Sequence, residues 1–388
     1  MNGGIEDRGG KGKGPWRITV SLGRDESGKR LRHRETFKGI KKDAQRRLRE
    51  ILSTVETGLY VPPSKLTTGQ YLTQWVSTYA ALHTSPRTVR SYQDELRRHV
   101  IPALGSIPLI NLQPNHIQAY YVSELTHGRK DGKGGLSART VAYHHAILNE
   151  ALEYAVRQND LARNPAKRVD PPRPKRAEVA TIAAEDMARF LDAATQSEYF
   201  GVFLTALYTG ARVGELLALQ WRNVDLENGT MTIVATLYRM DGAWHLKEPK
   251  SARSRRQVVL PTSVVAYLQG HKAALEAERT ALGGVLTDSD FVFCQVNGKP
   301  RDSRSALRSL QRVLKIAGLP HVRFHDLRHT HASLLLKAGV HPKVVSERLG
   351  HGSVSFTLDT YSHVMPGIQE SAAVRFEALI EGANGASK

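Results

Sequence analysis

The segment Asp170-Pro-Pro-Arg-Pro-Lys-Arg176 constrains the fold of this chain more than any other stretch. Pro171, Pro172 and Pro174 fix φ and lack an N–H, so neither a helix nor a central strand runs through them. A chain of 388 residues with such a break is expected to form separately packed bodies, with 170–179 as the linker. Hydrophobic residues make up 40% of the sequence, enough for a packed interior on each side. Arg173, Lys175 and Arg176 would suit a linker that runs along a polyanion.

The part before the linker divides again. Trp16-Arg-Ile-Thr-Val-Ser-Leu22 alternates as a strand does, Asp25-Glu-Ser-Gly28 reads as a turn, and Arg30 to Phe37 reads as a second strand. A helix from Lys41 to Thr57 follows, with Ala44, Leu48, Ile51, Leu52 and Val55 on one face and Gly58 as its stop. These features set 1–63 apart as a small sheet with one helix. Pro62-Pro-Ser-Lys65 ends it.

From 64 to 169 the periods are helical. Tyr71, Leu72, Trp75, Val76 and Tyr79 share a face, and Ser85-Pro-Arg opens a helix whose stripe continues through Tyr92, Leu96 and Val100. Ile117 to Leu125 and Thr140 to Val156 complete a four-helix unit. The basic loop from Gly128 to Gly135 lacks a phosphate-loop pattern. The remainder, 180–388, mixes helices with a hairpin and ends in a helical tail. The chain is therefore expected to be multidomain, mainly α with small β parts, its last domain mixed α/β.

Charge narrows the partner. Lys and Arg total 55 against 37 Asp and Glu, a net charge of +18, and residues 1–60 alone hold 15 against 8, or +7. Such a field attracts polyanions, and no basic amphipathic membrane helix is evident. Nucleic acid is favoured over lipid as the partner, a merely soluble basic protein being the alternative; a small basic sheet with a supporting helix could dock in a groove of double-stranded DNA. There is no run of about 18 apolar residues and no signal-peptide plan at the start. Cys294 is the single cysteine, so a reducing cytoplasm is the expected location.

Four stretches after the linker carry chemistry. In Thr209-Gly-Ala-Arg-Val-Gly-Glu215, Arg212 opens a helix where a cation opposes the dipole. Either Glu215 pairs with it or a bound phosphate holds it there. In His325-Asp-Leu-Arg-His-Thr-His331, His325 and Arg328 share a helix face. His325 and His329 also have the spacing of a zinc helix, although Asp326 stands where such sites use glutamate. Satisfied surface histidines would account for His329 and His331 equally well. In Leu349-Gly-His351 through Tyr361-Ser-His363, His351 lies just past a helix end and Tyr361 sits among polar neighbours. Finally, Met231 to Leu237 and Gln257 to Leu260 read as two strands of a hairpin. Its turn carries Lys250, Arg253, Arg255 and Arg256.

Together these stretches resemble the tyrosine recombinase family, specifically temperate-phage and conjugative-element integrases. The family order of Arg, Lys, His-x-x-Arg, His and Tyr is matched by Arg212, Lys250, His325 with Arg328, His351 and Tyr361. Lys247 lies close enough to compete for the lysine's place. The resemblance covers about 180–365; 64–169 looks like the family's core-site-binding domain and 1–63 like its arm-site-binding domain. It implies a site-specific recombinase that joins DNA to Tyr361 through a 3′-phosphotyrosine and needs neither ATP nor a metal or other cofactor. It further implies a homotetramer on core and arm attachment sites, with an excisionase and a host DNA-bending protein as accessory partners. By the residues' chemistry, Arg212 and Arg328 would clamp the phosphate oxygens. His325 is a candidate base, His351 a candidate oxygen ligand and Lys250 a candidate acid. A binding protein that never cuts DNA shares the charge but has no use for Tyr361; a relaxing topoisomerase shares the chemistry.

Overall fold

The computed structural model describes residues 3–10, 14–24, 28–58, 60–175, 180–248 and 255–361, with six further positions between 373 and 380. The chain divides into two compact units, 1–176 and 177–388. Lys250, the other cations of its turn before Arg255, and tail positions Ile368, Ala372 and Leu379 lie outside the described residues.

The first unit begins with a three-stranded antiparallel sheet in the order β1 (Gly3–Asp7), β2 (Trp16–Arg24), β3 (Arg30–Phe37). Alternation decides its two faces. Ile18 and Val20 point inward onto Ala44 and Ile51 of α1 (Lys41–Glu56), where all four are buried. Thr19 and Ser21 fall on the other face, in register with Arg34 and Arg32, both exposed. Strand β1 is not foreseen by the sequence pattern. Gly3-Gly4 carries little strand preference, and pairing with β2 supplies what propensity does not.

The helical part of this unit comprises α2 (Thr68–Trp75), α3 (Ala81–His83), α4 (Pro86–Glu95), α5 (Ile101–Leu104), α6 (Pro114–His127) and α7 (Ala138–Arg157). Capping marks several starts. The Thr67 hydroxyl accepts from Gln70 N, Ser85 from Thr88 N and Ser137 from Thr140 N. The apolar stripes read from the sequence form one core that includes Leu72, Trp75, Leu96, Val100, Ile117 and Leu148. Inside it two histidines are buried with acids. His99 Nδ1 lies 2.7 Å from Glu124, and His144 Nε2 lies 3.0 Å from Glu95.

The second unit opens with α8 (Met187–Ala194), α9 (Phe200–Thr209) and α10 (Val213–Leu217). Strands β4 (Val224–Asp225), β5 (Thr230–Ile233), β6 (Thr236–Met240), β7 (Ala243–Lys247) and β8 (Arg256–Val259) follow. It closes with α11 (Thr262–Ala281), α12 (Ser303–Ile316), α13 (Phe324–Lys337), α14 (Pro342–Leu349) and α15 (Val354–Tyr361). Two points differ from the sequence reading. The stretch Met231 to Leu237 is two strands, because β5 pairs with β8 while β6 pairs with β7. Asp241 and Gly242 both take positive φ and make the tight turn of that second hairpin. Arg256 is likewise no turn residue. It begins β8 and is buried, since it shares a strand face with Val258 and Leu260. Among the described residues no helix is long and apolar enough to cross a membrane.

Candidate active site

Four helix ends and one strand meet in the second unit. Gly210 caps α9 in the left-handed conformation, and a Cβ there would lie 2.4 Å from Leu349 and 2.8 Å from His331. The turn thus depends on glycine, and it brings α9, α13 and α14 close together.

Arg212 stands at the start of α10. Its backbone N–H donates to Glu215 at 2.9 Å and its guanidinium to the same carboxylate at 2.7 Å. Glu215 also accepts from both Nη atoms of the buried Arg256, at 3.3 and 2.8 Å, while Arg256 Nε donates to the Arg348 carbonyl. One buried carboxylate therefore orients two guanidiniums. Burial pushes the Glu215 carboxyl up, but Arg256 and Arg212 outweigh it and hold the group ionised below the ordinary range. The pairing of Arg212 with Glu215 weighed from the sequence is real, yet Arg212 keeps 41% of its side chain exposed and so still faces solvent.

Arg328 is fixed more tightly. Nη1 donates to the Gly210 carbonyl at 2.8 Å and Nη2 to the Leu349 carbonyl at 2.6 Å, and only 2% of the residue is exposed. Burial, then Arg212 and Arg256, lower its pKa to about 9, so it remains a cation at neutral pH. A buried guanidinium without its own carboxylate is costly.

Three of the sequence-predicted groups surround it electrostatically. Burial first, then His329, Arg328 and Arg212, lower His325 to about 4. Burial, Arg328 and Arg212 lower His351 to about 3, and its Nδ1 lies 2.8 Å from the Thr357 hydroxyl. Both rings are neutral at pH 7. Tyr361 is raised to about 12 by burial, against the pull of Arg328. Arg212, His325, Arg328, His351 and Tyr361 therefore converge; Lys250 falls outside the described residues.

Tyr361 and two histidines occupy different surroundings from those the sequence suggested. Tyr361 is 1% exposed and packs with Ala332, Leu336, Val345 and Leu349. The helical period of α15 turns Thr357 and Tyr361 inward and leaves Phe356 and Asp359 outside, so polar sequence neighbours do not make a polar site. His331 is not a surface residue: it is buried with Nδ1 2.8 Å from the Leu207 carbonyl, and burial lowers it to about 4. His329 is half-buried, and its Nδ1 lies 2.6 Å from the Tyr361 hydroxyl. No local pattern predicts that contact, because it joins two helices 32 residues apart. Among the described residues no three His, Cys, Asp or Glu side chains are grouped to hold a metal ion.

Comparison with known proteins gives the family and the fold. The phage integrase family profile matches residues 180–367, and the profile for the phage integrase N-terminal SAM-like domain matches residues 67–125. A tyrosine recombinase XerC-like protein of Caldanaerobacter subterraneus subsp. tengcongensis is 30% identical over 92% of this chain and 94% of its own length. The ICEBs1 integrase of Bacillus subtilis is 29% identical over 77% of this chain and 90% of its own. Among solved structures, the Tn1549 transposon integrase in complex with a circular intermediate DNA superposes with a TM-score of 0.67. It covers 81% of this chain and 99% of that one at 20% identity. A lambda integrase tetramer bound to a Holliday junction gives 0.55 over 90% and 96% at 17% identity, a likeness of fold.

Proposed function

This chain belongs to the phage integrase family and is a site-specific DNA recombinase, and on that premise we propose how its own residues divide the reaction. Tyr361 is the nucleophile. Its oxygen attacks the scissile phosphorus, a 3′-phosphotyrosine forms, and the 5′ oxygen leaves. Arg328 and Arg212 hold the two non-bridging oxygens, where negative charge gathers. His325 and His351 stand near the same two cations as neutral rings. An arriving phosphate would supply the counter-charge that favours their protonated forms. Lys250, three residues beyond Lys247 in the sequence, delivers the proton that the 5′ oxygen needs. The later attack of a 5′ hydroxyl on the phosphotyrosine reverses each step, so no nucleotide hydrolysis is required.

The observation that carries this reading is the convergence of Arg212, His325, Arg328, His351 and Tyr361 from separate segments around one buried cation. The test is a duplex carrying the element's core site, nicked next to the exchange point so that cleavage is trapped. The wild-type chain is expected to form a covalent band. Tyr361→Phe is expected to bind the same duplex and form none, and a band with that variant would remove Tyr361 from the role.

The remaining parts take roles by the same logic. Residues 64–169 grip the core site, and 1–63 grip a separate arm site through the exposed sheet face with Arg32 and Arg34. The linker 170–179 joins these parts to the catalytic domain. The working assembly is a homotetramer on two duplexes, as in the lambda integrase complex with a Holliday junction. An excisionase and a host DNA-bending protein would set its direction, and the cytoplasm is where such DNA is reached.

A further inference from the structure

His329 has no place among the six residues that match the family pattern, yet it is the side chain that touches the reacting oxygen. We propose that His329 is the general base that takes the phenol proton as Tyr361 attacks, an assignment that rests on the reading of Tyr361 as the nucleophile. The geometry carries it. The Tyr361 hydroxyl lies 2.6 Å from His329 Nδ1, well inside the range for proton transfer. Their rings sit 5.6 Å apart, and the His325 ring stands edge-on to His329 at 5.0 Å. The phenol ring packs in one cluster with Ala332, Leu336, Val345 and Leu349, and its hydroxyl meets His329 on α13.

Protonation states fit the role. His329 faces His325, Asp326, Arg328 and Arg323 from its own helix, His351 from the turn after α14, and Tyr361 from α15. Burial lowers its pKa most, Asp326 opposes, and Arg328 and Arg323 add to the lowering. The lowering favours the neutral ring at pH 7, and in the tautomer that carries its proton on Nε2 the Nδ1 atom accepts from the phenol. The buried phenol, raised to about 12, keeps its proton until charge moves onto the phosphate.

The step balances. The bond from Tyr361 oxygen to phosphorus forms, the bond from phosphorus to the 5′ oxygen breaks, and the phenol proton passes to His329 Nδ1. The 5′ oxygen takes its proton from the separate acid assigned to Lys250. When a 5′ hydroxyl attacks in the second half, the imidazolium returns its proton to the departing phenolate. His325, one turn earlier on α13, is left to the phosphate.

The test uses the full chain and the nicked core-site duplex under single turnover. His329→Asn keeps a neutral acceptor near the Nδ1 position but takes up no proton. It is expected to bind the duplex normally and to form adduct about 10²- to 10⁴-fold more slowly at pH 7. Its rate should climb about tenfold per pH unit from 7 to 9 as hydroxide replaces the base, where the wild type is nearly flat. Placing 3,5-difluorotyrosine at position 361, which lowers the phenol pKa, should recover much of the lost rate in His329→Asn. A wild-type rate in that variant, or a loss that neither pH nor fluorination relieves, overturns the assignment. Should Asn impair DNA binding, His329→Gln is measured in its place, and the same pair of results supports or overturns the assignment. Tyr361→Phe runs alongside. An adduct with it would sink the nucleophile itself, whereas an inert Tyr361→Phe with a fast His329→Asn would sink this inference alone.

Discussion

Both units set histidines among charged groups, but they give them opposite company. In the helical unit His99 meets Glu124 and His144 meets Glu95, and Tyr120 adds a hydroxyl at 2.8 Å from His144. Each ring has a carboxylate within reach, so the network is complete without a ligand. In the catalytic unit His325 and His351 look onto Arg328 and Arg212, and Glu215 is already engaged by Arg212 and Arg256. Among the described residues, cations there outnumber the acids that could offset them. The first arrangement is finished architecture; the second is a site shaped for an anion that arrives from outside.

The largest effect that sharpens this contrast is expected at Arg328. Arg328→Ala removes the proposed oxygen clamp and takes from the Gly210 and Leu349 carbonyls the guanidinium that donates to them. Single-turnover adduct formation should fall by about 10²- to 10³-fold or more, as for loss of a transition-state donor. A variant with undiminished cleavage would show that this buried cation serves the fold alone. The counterpart in the helical unit is Glu124→Ala, which strands His99 in the core. It should lower the stability of that unit by about 1–3 kcal/mol, read from chemical denaturation, while the rate at saturating DNA stays unchanged. A slowed chemical step in that variant would erase the distinction between the two units.

Acid should separate the units by a smaller margin. His325, His331 and His351 have folded pKa values of about 4, 4 and 3, all below the ordinary 6.5. The unfolded chain therefore binds more protons in this window. The associated stability is present above pH 6.5 and is lost as pH falls toward 4. Calorimetry between pH 7 and 5 should show the catalytic transition moving down further than the helical one. In the helical unit burial also lowers His144 and His145, but Glu95 and Asp170 oppose it there. Equal shifts of both transitions would contradict the contrast. The mildest effect concerns the sheet of the first unit. Arg32→Gln with Arg34→Gln should weaken binding to arm-type DNA uniformly and reduce the salt slope of log K by about 1 per arginine. An unchanged slope would take that face off the DNA.

Much of this is legible in the sequence, and the failures share a cause. Local periodicity marks α1 and the helices around Trp75, Ile117 and Leu148, because one face of each packs inward within a few turns. The proposed site residues Arg212, His325, Arg328, His351 and Tyr361 are picked out by their order along the chain, which needs no geometry. What escapes depends on contacts across the fold. Asp241-Gly242 is a strong hairpin signal, but it disappears into a loop once Met231 to Leu237 is read as a single strand. Arg256 looks like one more cation of a basic turn, although its spacing from Val258 and Leu260 already puts it on their face. His329 offers only an i, i+4 relation to His325, which suggests zinc; its partner lies on α15. The cation beside it and the inward turn of Tyr361 are equally nonlocal.

A single covalent bond at a single residue defines the proposed reaction. Adduct trapped on the nicked core-site duplex, digested and sequenced by tandem mass spectrometry, locates that bond directly. The modification is predicted on Tyr361, joined to the 3′ phosphate of the cleaved strand, with a free 5′ hydroxyl released. A nucleotide carried by any other side chain, or cleavage that leaves no protein-linked DNA, would contradict it.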